Sequence, residues 1–443
     1  MALRSQLLLA AARQAARTSF SGMQGGSDLC AIVAPLSSFR YFSSTTNTES
    51  SCSLSQLLLP PSDNRRRKED PSPEQQHKRT FASLPNPAVP SASITAVDPF
   101  SLVRSEIESV SERLRRCIVT EIPTLEQAAE YFFRAGHEGK RLRSTVILLM
   151  ATSLASVPTN PLFLTVDDSP ADAHPPEQRR RQQRIAEITE LIHVASLLHD
   201  DVIDNADKRR GLKALNSLFG NKVAILAGDF LLARASVSLA ALRNSEVIAL
   251  MSQVLEHLVA GEILQMTAGP DDAGSMDHYM RKTYFKTASL VANSCKSVAL
   301  LAGCSPDQST AAWDYGRHLG LAFQLIDDVL DYTGTTAELG KPAGNDLRSG
   351  LATAPVLFAA EQHPELHNLI KRRFRQDGDV ETALRLVKDS QGVDRAKQLA
   401  EEHARQAIAA LERLPEVAVE CAAAVESRNA LVEITQKVIN RRK

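Results

Sequence analysis

The sequence predicts an all-α protein folded as a single large helical bundle. Only 5% of its 443 residues are aromatic while alanine and leucine dominate, a composition that favours packed helices over sheets. From residue 99 onward apolar residues recur at the three- and four-residue spacing of a helix, as at Leu102, Ile107, Val110 and Leu114. No segment alternates apolar and polar residues as a half-buried strand does, so the sequence predicts no sheet.

The chain falls into three parts. Residues 1–42 hold four arginines, one acid and an amphipathic start, which is the pattern of a mitochondrial transit peptide; a merely disordered N-terminus is the alternative. Residues 43–98, rich in Ser, Pro, Asn and Gln, are predicted to be a disordered linker. Residues 99–443 form the all-α domain, in which the five prolines of residues 157–177 predict a surface insertion.

Composition excludes several classes of protein. The 51 Lys and Arg residues balance 52 Asp and Glu, whereas a nucleic-acid binder normally has a basic excess. The six cysteines lie far apart without a CxxC spacing, which argues against a disulfide scaffold or a thiolate zinc site and favours reduced structural thiols. The longest uncharged stretch is interrupted by Pro158, so its apolar part, residues 145–157, predicts a buried helix and the sequence predicts no transmembrane helix.

Two aspartate-rich segments carry the strongest chemical signal. Each follows an apolar helical run and places acids at positions i, i+1 and i+4: Asp200, Asp201 and Asp204 in the first, and Asp327, Asp328 and Asp331 in the second. Carboxylates at i and i+4 share a helix face and repel each other unless a cation lies between them. One such segment alone would fit a solvated helix end equally well, but two near-copies flanked by apolar residues favour Mg²⁺ and a bridging diphosphate.

Basic residues are spread along the chain in positions that could bind a second anionic group. They are Lys140, Arg141 and Arg143 after Gly139; Arg209 and Arg210 just past the first acidic segment; Lys286; and Lys341. For Arg141 alone a solvated surface position is the preferred interpretation. Lys286 stands among Ala288, Leu290 and Val291, so it needs a buried anion or a route to solvent.

On these motifs the sequence resembles the trans-isoprenyl diphosphate synthases, and within them the mitochondrial long-chain polyprenyl synthases of the solanesyl and decaprenyl type. The resemblance covers about residues 100–443 and rests on ordered signatures: Gly139–Arg143, His193 through Gly211, Gly228-Asp229, Gly261-Glu262 with Gln265, and Gln324 through Asp331 with Lys341. It implies an isoprenoid-synthase bundle around a central cavity. It also implies Mg²⁺-dependent, sequential condensation of isopentenyl diphosphate onto an allylic diphosphate primer, supplying the ubiquinone side chain.

The resemblance implies a role for each matching position. Isopentenyl diphosphate would be bound without metal by Lys140, Arg143, His193 and Arg210. The Mg²⁺ ligands would be Asp200, Asp204 and Asp327, with Asp201, Asp328 and Asp331 as supporting acids. The allylic diphosphate would be bound by Arg209, Lys286, Gln324 and Lys341, and Thr287 would lie near the reacting carbon; Lys286, Thr287, Gln324 and Lys341 form the predicted catalytic set. About three Mg²⁺ per active site are expected, with Mn²⁺ able to substitute.

Product length is expected to depend on the helix that carries Asp200. Ala195 and Ser196 precede the acids where short-chain relatives usually place an aromatic floor, so an elongation tunnel would continue past Ile192. The alternative is that both small residues simply allow close helix packing. The resemblance implies a product of about 40–50 carbons, a length that the tunnel interpretation accommodates.

Several alternatives stay open at this point. A shorter-chain geranylgeranyl or farnesyl diphosphate synthase, or a subunit of a heteromeric synthase, fits many of the same motifs. A terpene cyclase or squalene-type synthase fits less well, because both acidic segments and the basic set are present. The expected partners are the two diphosphate substrates and either a second copy or a second synthase subunit. The expected location is the mitochondrial matrix or the matrix face of the inner membrane, with peripheral association through the product.

The sequence also departs from the pattern of this family. Glu138 and Ser144 stand where glycine and proline are usual, and no basic residue occurs in the stretch from Gly350 to Pro355. The missing basic residue puts one phosphate contact in doubt.

Overall fold

The structure is a computed structural model that describes residues 98–133, 141–154, 175–209, 212–334, 344–417 and 421–441. The elements are α1 (Pro99–Leu102), α2 (Arg104–Cys117), α3 (Pro123–Glu130), α4 (Leu142–Ser153), α5 (Pro175–Ile203), β1 (Lys208–Arg209), β2 (Leu212–Lys213), α6 (Leu215–Phe219), α7 (Asn221–Ala240), α8 (Ser245–Thr267), α9 (Met276–Thr283), a π-helix (Tyr284–Ala288), α10 (Ser289–Leu301), α11 (Pro306–Thr333), α12 (Asn345–Arg348), α13 (Ala354–Ala360), α14 (Leu366–Lys371), α15 (Asp379–Lys388), α16 (Gly392–Glu412) and α17 (Ala422–Ile439). Short 3₁₀ turns occupy Tyr131–Phe133 and Asp272–Gly274. The predicted all-α fold is confirmed, except that β1 and β2 form a two-residue antiparallel hairpin.

Two long helices, α5 and α11, form the centre of the bundle. Helix α11 packs on α10 and α16, while α5 packs on α7. Helix α11 approaches the π-helix and α10 closely because Gly316 and Gly320 lie at the contact: a Cβ at Gly320 would lie 2.6 Å from Ala288 Cα of the π-helix, and one at Gly316 would lie 2.7 Å from Ala292 Cα of α10. Ser305 and Gln308 form a capping box that fixes the start of α11. The second acidic segment lies in the last turns of α11, and the first lies at the end of α5, with Asp204 just past its last residue.

The predicted buried helix after Arg141 is confirmed, since nine of the twelve residues of α4 are buried. It begins at Leu142 and ends at Ser153, slightly earlier than the apolar run. The predicted transit peptide, the linker and residues 157–174 of the predicted insertion lie outside the described residues. Helix α5 begins at Pro175, so the last residues of that segment are helical.

Helices α7 and α8 carry an apolar face that the chain leaves exposed. On α7, Leu226 is 60% and Val237 67% exposed, because α7 packs through its opposite side, where Ala227 and Leu231 are buried. On α8, Val259 is 66% exposed. By length and composition alone α7 and α8 could each span a membrane, although both contain charged residues.

Candidate active site

The first acidic segment lies at the end of α5, and its three carboxylates have two different environments. Asp201 is 1% exposed, and the Arg209 guanidinium donates to its Oδ1 at 2.7 Å. That pairing ties the hairpin strand β1 back to α5. Asp200 is half-exposed and Asp204, just past the helix, is exposed, so these two carboxylates remain available to a ligand.

The electrostatics of the first segment favour an added cation. Burial is the largest cause that raises the pKa of Asp200, to about 6 in total; Glu262 and Asp204 act in the same direction, while Lys286 and Arg209 oppose it. Burial also raises the pKa of Asp204. Both acids lie at the negative end of the α5 dipole, which disfavours anionic side chains. A bound cation would relieve all of these effects together.

Lys286 faces these acids from a π-helix, a single wide turn of the kind often found at functional sites. Its ammonium forms an ion pair with Glu262 on α8, and the next residue, Thr287, donates from its hydroxyl to Gln324 Oε1 at 3.0 Å. Gly261 makes room for this turn: a Cβ there would lie 2.7 Å from Lys286 Cγ. Helix α8 therefore positions Lys286 in two ways: the Glu262 carboxylate pairs with its ammonium, and Gly261, which has no side chain, leaves space for its stem.

In the second segment, on α11, protein groups bind the acids more fully. Asp328 is 3% exposed and accepts hydrogen bonds from Tyr279 Oη at 2.6 Å and from Gln324 Nε2 at 2.9 Å. Burial raises the pKa of Asp328 to about 6. Asp331 accepts from the backbone N–H groups of Asn345 at 3.2 Å and Asp346 at 3.0 Å. Asp331 and Asp328 thus hold their surroundings, in particular Gln324 and the start of α12.

Asp327 has a partner from the C-terminal end of the chain. Arg441 forms an ion pair with the Asp327 carboxylate, donates to the Phe323 carbonyl at 2.7 Å and stacks 4.0 Å from the centroid of the Phe323 ring. Burial raises the pKa of Asp327, while Arg441 and Arg143 lower it. Sequence reasoning missed Arg441, although the basic run after α17 was the available signal.

Two further residues of the site were given no role from the sequence. Glu262, noticed only as part of a signature, pairs with Lys286. Asp346 lies near Asp328 and Asp331, and burial followed by these two carboxylates raises its pKa to about 7. Lys282 is the cation among these acids, and burial lowers its pKa.

Two of the residues predicted to bind isopentenyl diphosphate, Arg143 and His193, meet where α4 begins beside α5. Arg143 Nη1 lies 3.1 Å from His193 Nε2. The expectation of a solvated Arg141 is wrong: its side chain is 9% exposed, because its guanidinium donates to the buried Glu190 carboxylate on α5. Lys140, Arg210 and Lys341 lie outside the described residues, so their predicted roles stay predictions.

The predicted tunnel wall lies in the packed interior of the bundle. Ala195 and Ile192 are at most 1% exposed, and Ser196 is half-buried with its hydroxyl bonded to the His193 carbonyl at 2.9 Å. A small cavity opens between α4, α10 and α11, lined by apolar side chains together with Arg143 and Thr287. The chain-length role of Ala195, Ser196 and Ile192 stays a prediction.

The exposed aspartates of the two segments fit Mg²⁺ that is bound jointly by the protein and by the phosphates of a substrate. Among the described residues no three His, Cys, Asp or Glu side chains are grouped closely enough to hold an ion by themselves. Mg²⁺ is usually bound through one or two carboxylates, several waters and substrate phosphate oxygens. Asp200 and Asp204 in one segment and Asp327 in the other are oxygen donors of this kind.

Comparison with known proteins assigns the class. A family model described as polyprenyl synthetase matches residues 122–387, and the chain therefore belongs to the polyprenyl synthetase family of prenyltransferases. It is similar to mitochondrial solanesyl-diphosphate synthase 1 of Oryza sativa, with 52% identity over 346 residues, 78% of this chain and 79% of the relative. Decaprenyl-diphosphate synthase subunit 1 of Schizosaccharomyces pombe is 41% identical over 353 residues, 77% of this chain and 91% of the relative.

Solved structures agree with this assignment. A medium/long-chain prenyl pyrophosphate synthase of Arabidopsis is 45% identical with a TM-score of 0.62, covering 78% of this chain and all of that chain. A polyprenyl synthase of Caulobacter crescentus, described as complexed with calcium and isoprenyl diphosphate, is 31% identical with a TM-score of 0.65, covering 80% of this chain and all of that one.

Proposed function

We propose that this protein is a long-chain trans-polyprenyl diphosphate synthase that condenses isopentenyl diphosphate sequentially onto an allylic diphosphate primer. The observation that carries the proposal is the arrangement of the two acidic segments, with Asp200, Asp204 and Asp327 as oxygen donors, Lys286 beside the first segment and Arg143 near Asp327. Similarity to synthases named for solanesyl and decaprenyl products supports the long-chain assignment. A shorter-chain synthase is the second candidate.

The roles of the side chains follow from charge and position. Lys286 and Arg209, with Lys341 from outside the described residues, would stabilise the departing diphosphate as the allylic C–O bond breaks. Mg²⁺, about three ions per site, would neutralise the same diphosphate when bound. Arg143 and His193 would hold isopentenyl diphosphate so that its double bond attacks the allylic carbon. The proton then lost would pass to the released diphosphate, so no protein nucleophile is required.

Product length tests the long-chain assignment directly. The purified chain is incubated with isopentenyl diphosphate, Mg²⁺ and either farnesyl or geranylgeranyl diphosphate, and the products are measured by mass spectrometry. Products of about 40–50 carbons are expected, and Ala195→Phe should shorten them because a buried site cannot accept the ring without closing the space beside it.

Ala195→Val should shorten the product less than Ala195→Phe, and Ala423→Phe, at an exposed position of α17, should leave it unchanged. Wild-type products of only about 15–20 carbons, roughly three to four isoprene units, would favour the shorter-chain candidate. Unchanged length in both Ala195 variants would refute the tunnel interpretation.

The active form is proposed to be an oligomer that pairs through the exposed apolar face of α7 and α8. Leu226, Val237 and Val259 lie on this face, and such a face is typical of protein interfaces. Molar mass by light scattering, with Val237→Glu as the disrupting variant, distinguishes a dimer from a monomer. Activity of the purified chain alone supports a homo-oligomer, whereas activity only after a second subunit is added supports a heteromer.

A mitochondrial location is proposed, with the product used for the ubiquinone side chain. The Arg-bearing segment 1–42 supports it, as does similarity to synthases whose names include a mitochondrial location. Import of the full chain into isolated mitochondria, with shortening near residue 42, is the expected result. A variant with Arg4, Arg13 and Arg17 replaced by Gln should not be imported.

A further inference from the structure

A buried carboxylate on α5 bonds to the segment that carries Arg143. Glu190 is 6% exposed, and an ionised carboxylate at such a position requires charged or hydrogen-bonding partners. The Ser144 hydroxyl donates to Glu190 Oε1 at 2.7 Å, and Arg141 Nη1 donates to Oε2 at 3.3 Å. Both carboxylate oxygens are therefore bound by residues of one short stretch.

That stretch has an unusual backbone at its first residue. Arg141 adopts φ 51° and ψ 33°, the left-handed conformation that residues other than glycine rarely adopt, and it precedes the first helical residue of α4. Its guanidinium also lies 5.9 Å from the centroid of the Phe133 ring. Surrounding contacts must hold such a conformation, and Glu190 supplies one of them to Arg141 itself and a second to Ser144, three residues on.

The same turn of α5 also contacts Arg143, the arginine predicted to bind isopentenyl diphosphate. Glu190 and His193 are three residues apart, so they lie on one face of α5. Glu190 bonds to Arg141 and Ser144, while His193 Nε2 lies 3.1 Å from Arg143 between them in sequence. The alternating contacts set the start of α4 against α5 and direct Arg143 to the cavity that it lines with Thr287.

Glu190 is not part of the acidic set around Asp200. The two residues are ten positions apart on α5, about 15 Å along the helix axis. The side chain of Glu190 is 7% exposed, which leaves little surface for a ligand.

We propose that Glu190 is a positioning residue for isopentenyl diphosphate binding, acting through Arg141 and Ser144 to hold Arg143 at the cavity. This inference rests on the proposed function. Under this proposal, substitution of Glu190 changes the KM for isopentenyl diphosphate alone. Substitution of a purely structural residue would change the KM for both substrates and the stability of the protein.

The test compares Glu190→Gln with a matched control, Glu187→Gln. Glu187 is also a buried acid on α5, but its partners Arg113 and Arg184 lie on α2 and α5, away from the start of α4. We expect Glu190→Gln to raise the KM for isopentenyl diphosphate by about tenfold, with the KM for the allylic primer changed less than about twofold. Glu187→Gln should leave both KM values unchanged. Ser144→Ala should reproduce a smaller part of the effect.

A double-mutant cycle shows whether Glu190 acts through Arg143. In an Arg143→Ala background, Glu190→Gln should add less than about twofold to the KM for isopentenyl diphosphate. The full tenfold effect in that background, or equal increases in both KM values, would overturn the proposal, as would an unchanged KM in folded Glu190→Gln. Failure of the proposed function is separate, because wild-type protein would then form only shorter products or no prenyl product at all, whatever the KM of the Glu190 variant.

Discussion

The two acidic segments share one sequence pattern and differ in what binds their carboxylates. In the first, among the described residues, the middle acid Asp201 pairs with Arg209, and Asp200 and Asp204 are left with raised pKa values. In the second, Asp327 pairs with Arg441 and Asp328 accepts from Tyr279 and Gln324. The same spacing therefore produces an open pair of acids on α5 and a set already engaged by the protein on α11.

This difference suggests a division of labour under the proposed function. The open acids of α5 would respond most to a cation, since the two cations that act on them, Lys286 and Arg209, are each paired with another carboxylate, Glu262 and Asp201. On α11, Asp328 and Asp331 hold Gln324 and the start of α12 in place. Asp327 can bind a cation only if it shares its carboxylate with Arg441. Substitutions in the two segments should therefore have effects of different size and kind.

The largest effect is expected at Asp200. Asp200→Asn removes an open carboxylate, and loss of one group that stabilises leaving-group charge typically costs about a hundredfold to a thousandfold in kcat. Steady-state kinetics at saturating Mg²⁺ measures it. Asp307→Asn, at an exposed position in the first turn of α11, is the control and should keep full activity. An Asp200→Asn enzyme within about threefold of wild type would contradict the division proposed for the two segments.

A smaller effect is expected at Gly261, which tests the position of Lys286. The added Cβ of Gly261→Ala would lie 2.7 Å from Lys286 Cγ, so the lysine must move. Activity should fall by about tenfold, chiefly through binding of the allylic diphosphate. At Gly274 a Cβ meets nothing within 4 Å, and Gly274→Ala is the matched control. Equal activities of the two variants would show that the exact position of Lys286 is unimportant.

A smaller effect again is expected at Arg441. Its substitution tests whether the Arg441 guanidinium competes with Mg²⁺ for the Asp327 carboxylate. Arg441→Ala removes the partner of Asp327, so the Mg²⁺ concentration for half-maximal activity should fall by roughly threefold, the size of a partly exposed ion pair. Lys437→Ala, which breaks exposed pairs on α17, is the control. A rise in the Mg²⁺ requirement would instead make Arg441 a contributor to metal or diphosphate binding.

The smallest effect concerns stability of the metal-free protein. Burial and like charges raise the pKa of Asp346 to about 7, so the folded state keeps a proton that the unfolded state releases near pH 4. Stability should therefore fall as pH rises from about 4 to about 7, and this loss persists above pH 7. Asp346→Asn should flatten the decline and raise Tm at pH 8 by a few degrees in EDTA. Asp377→Asn, at an exposed position, is the control, and parallel curves for Asp346→Asn and wild type would contradict this assignment.

The sequence was sufficient for the helical fold and for the acidic segments, because helix periodicity and i, i+4 spacing are local. It was misleading at Arg141, which a local pattern places on the surface while Glu190, 49 residues away, draws it into the interior. Arg441 and Asp346 were missed for the same reason: their roles depend on which elements pack together. The exposure of the apolar face of α7 could not be predicted either. Periodicity predicts which residues share a helix face, but not whether another element packs against that face.

The most direct test of the account is a crystal structure of the full chain with Mn²⁺ and a non-cleavable allylic diphosphate analogue, using anomalous scattering to locate the metal. The account predicts metal peaks in contact with Asp200, Asp204 and Asp327, with the diphosphate between them, and no peak in contact with Asp201 or Asp328. Metal bound by Asp201 or Asp328, or a diphosphate bound away from Lys286, would contradict it.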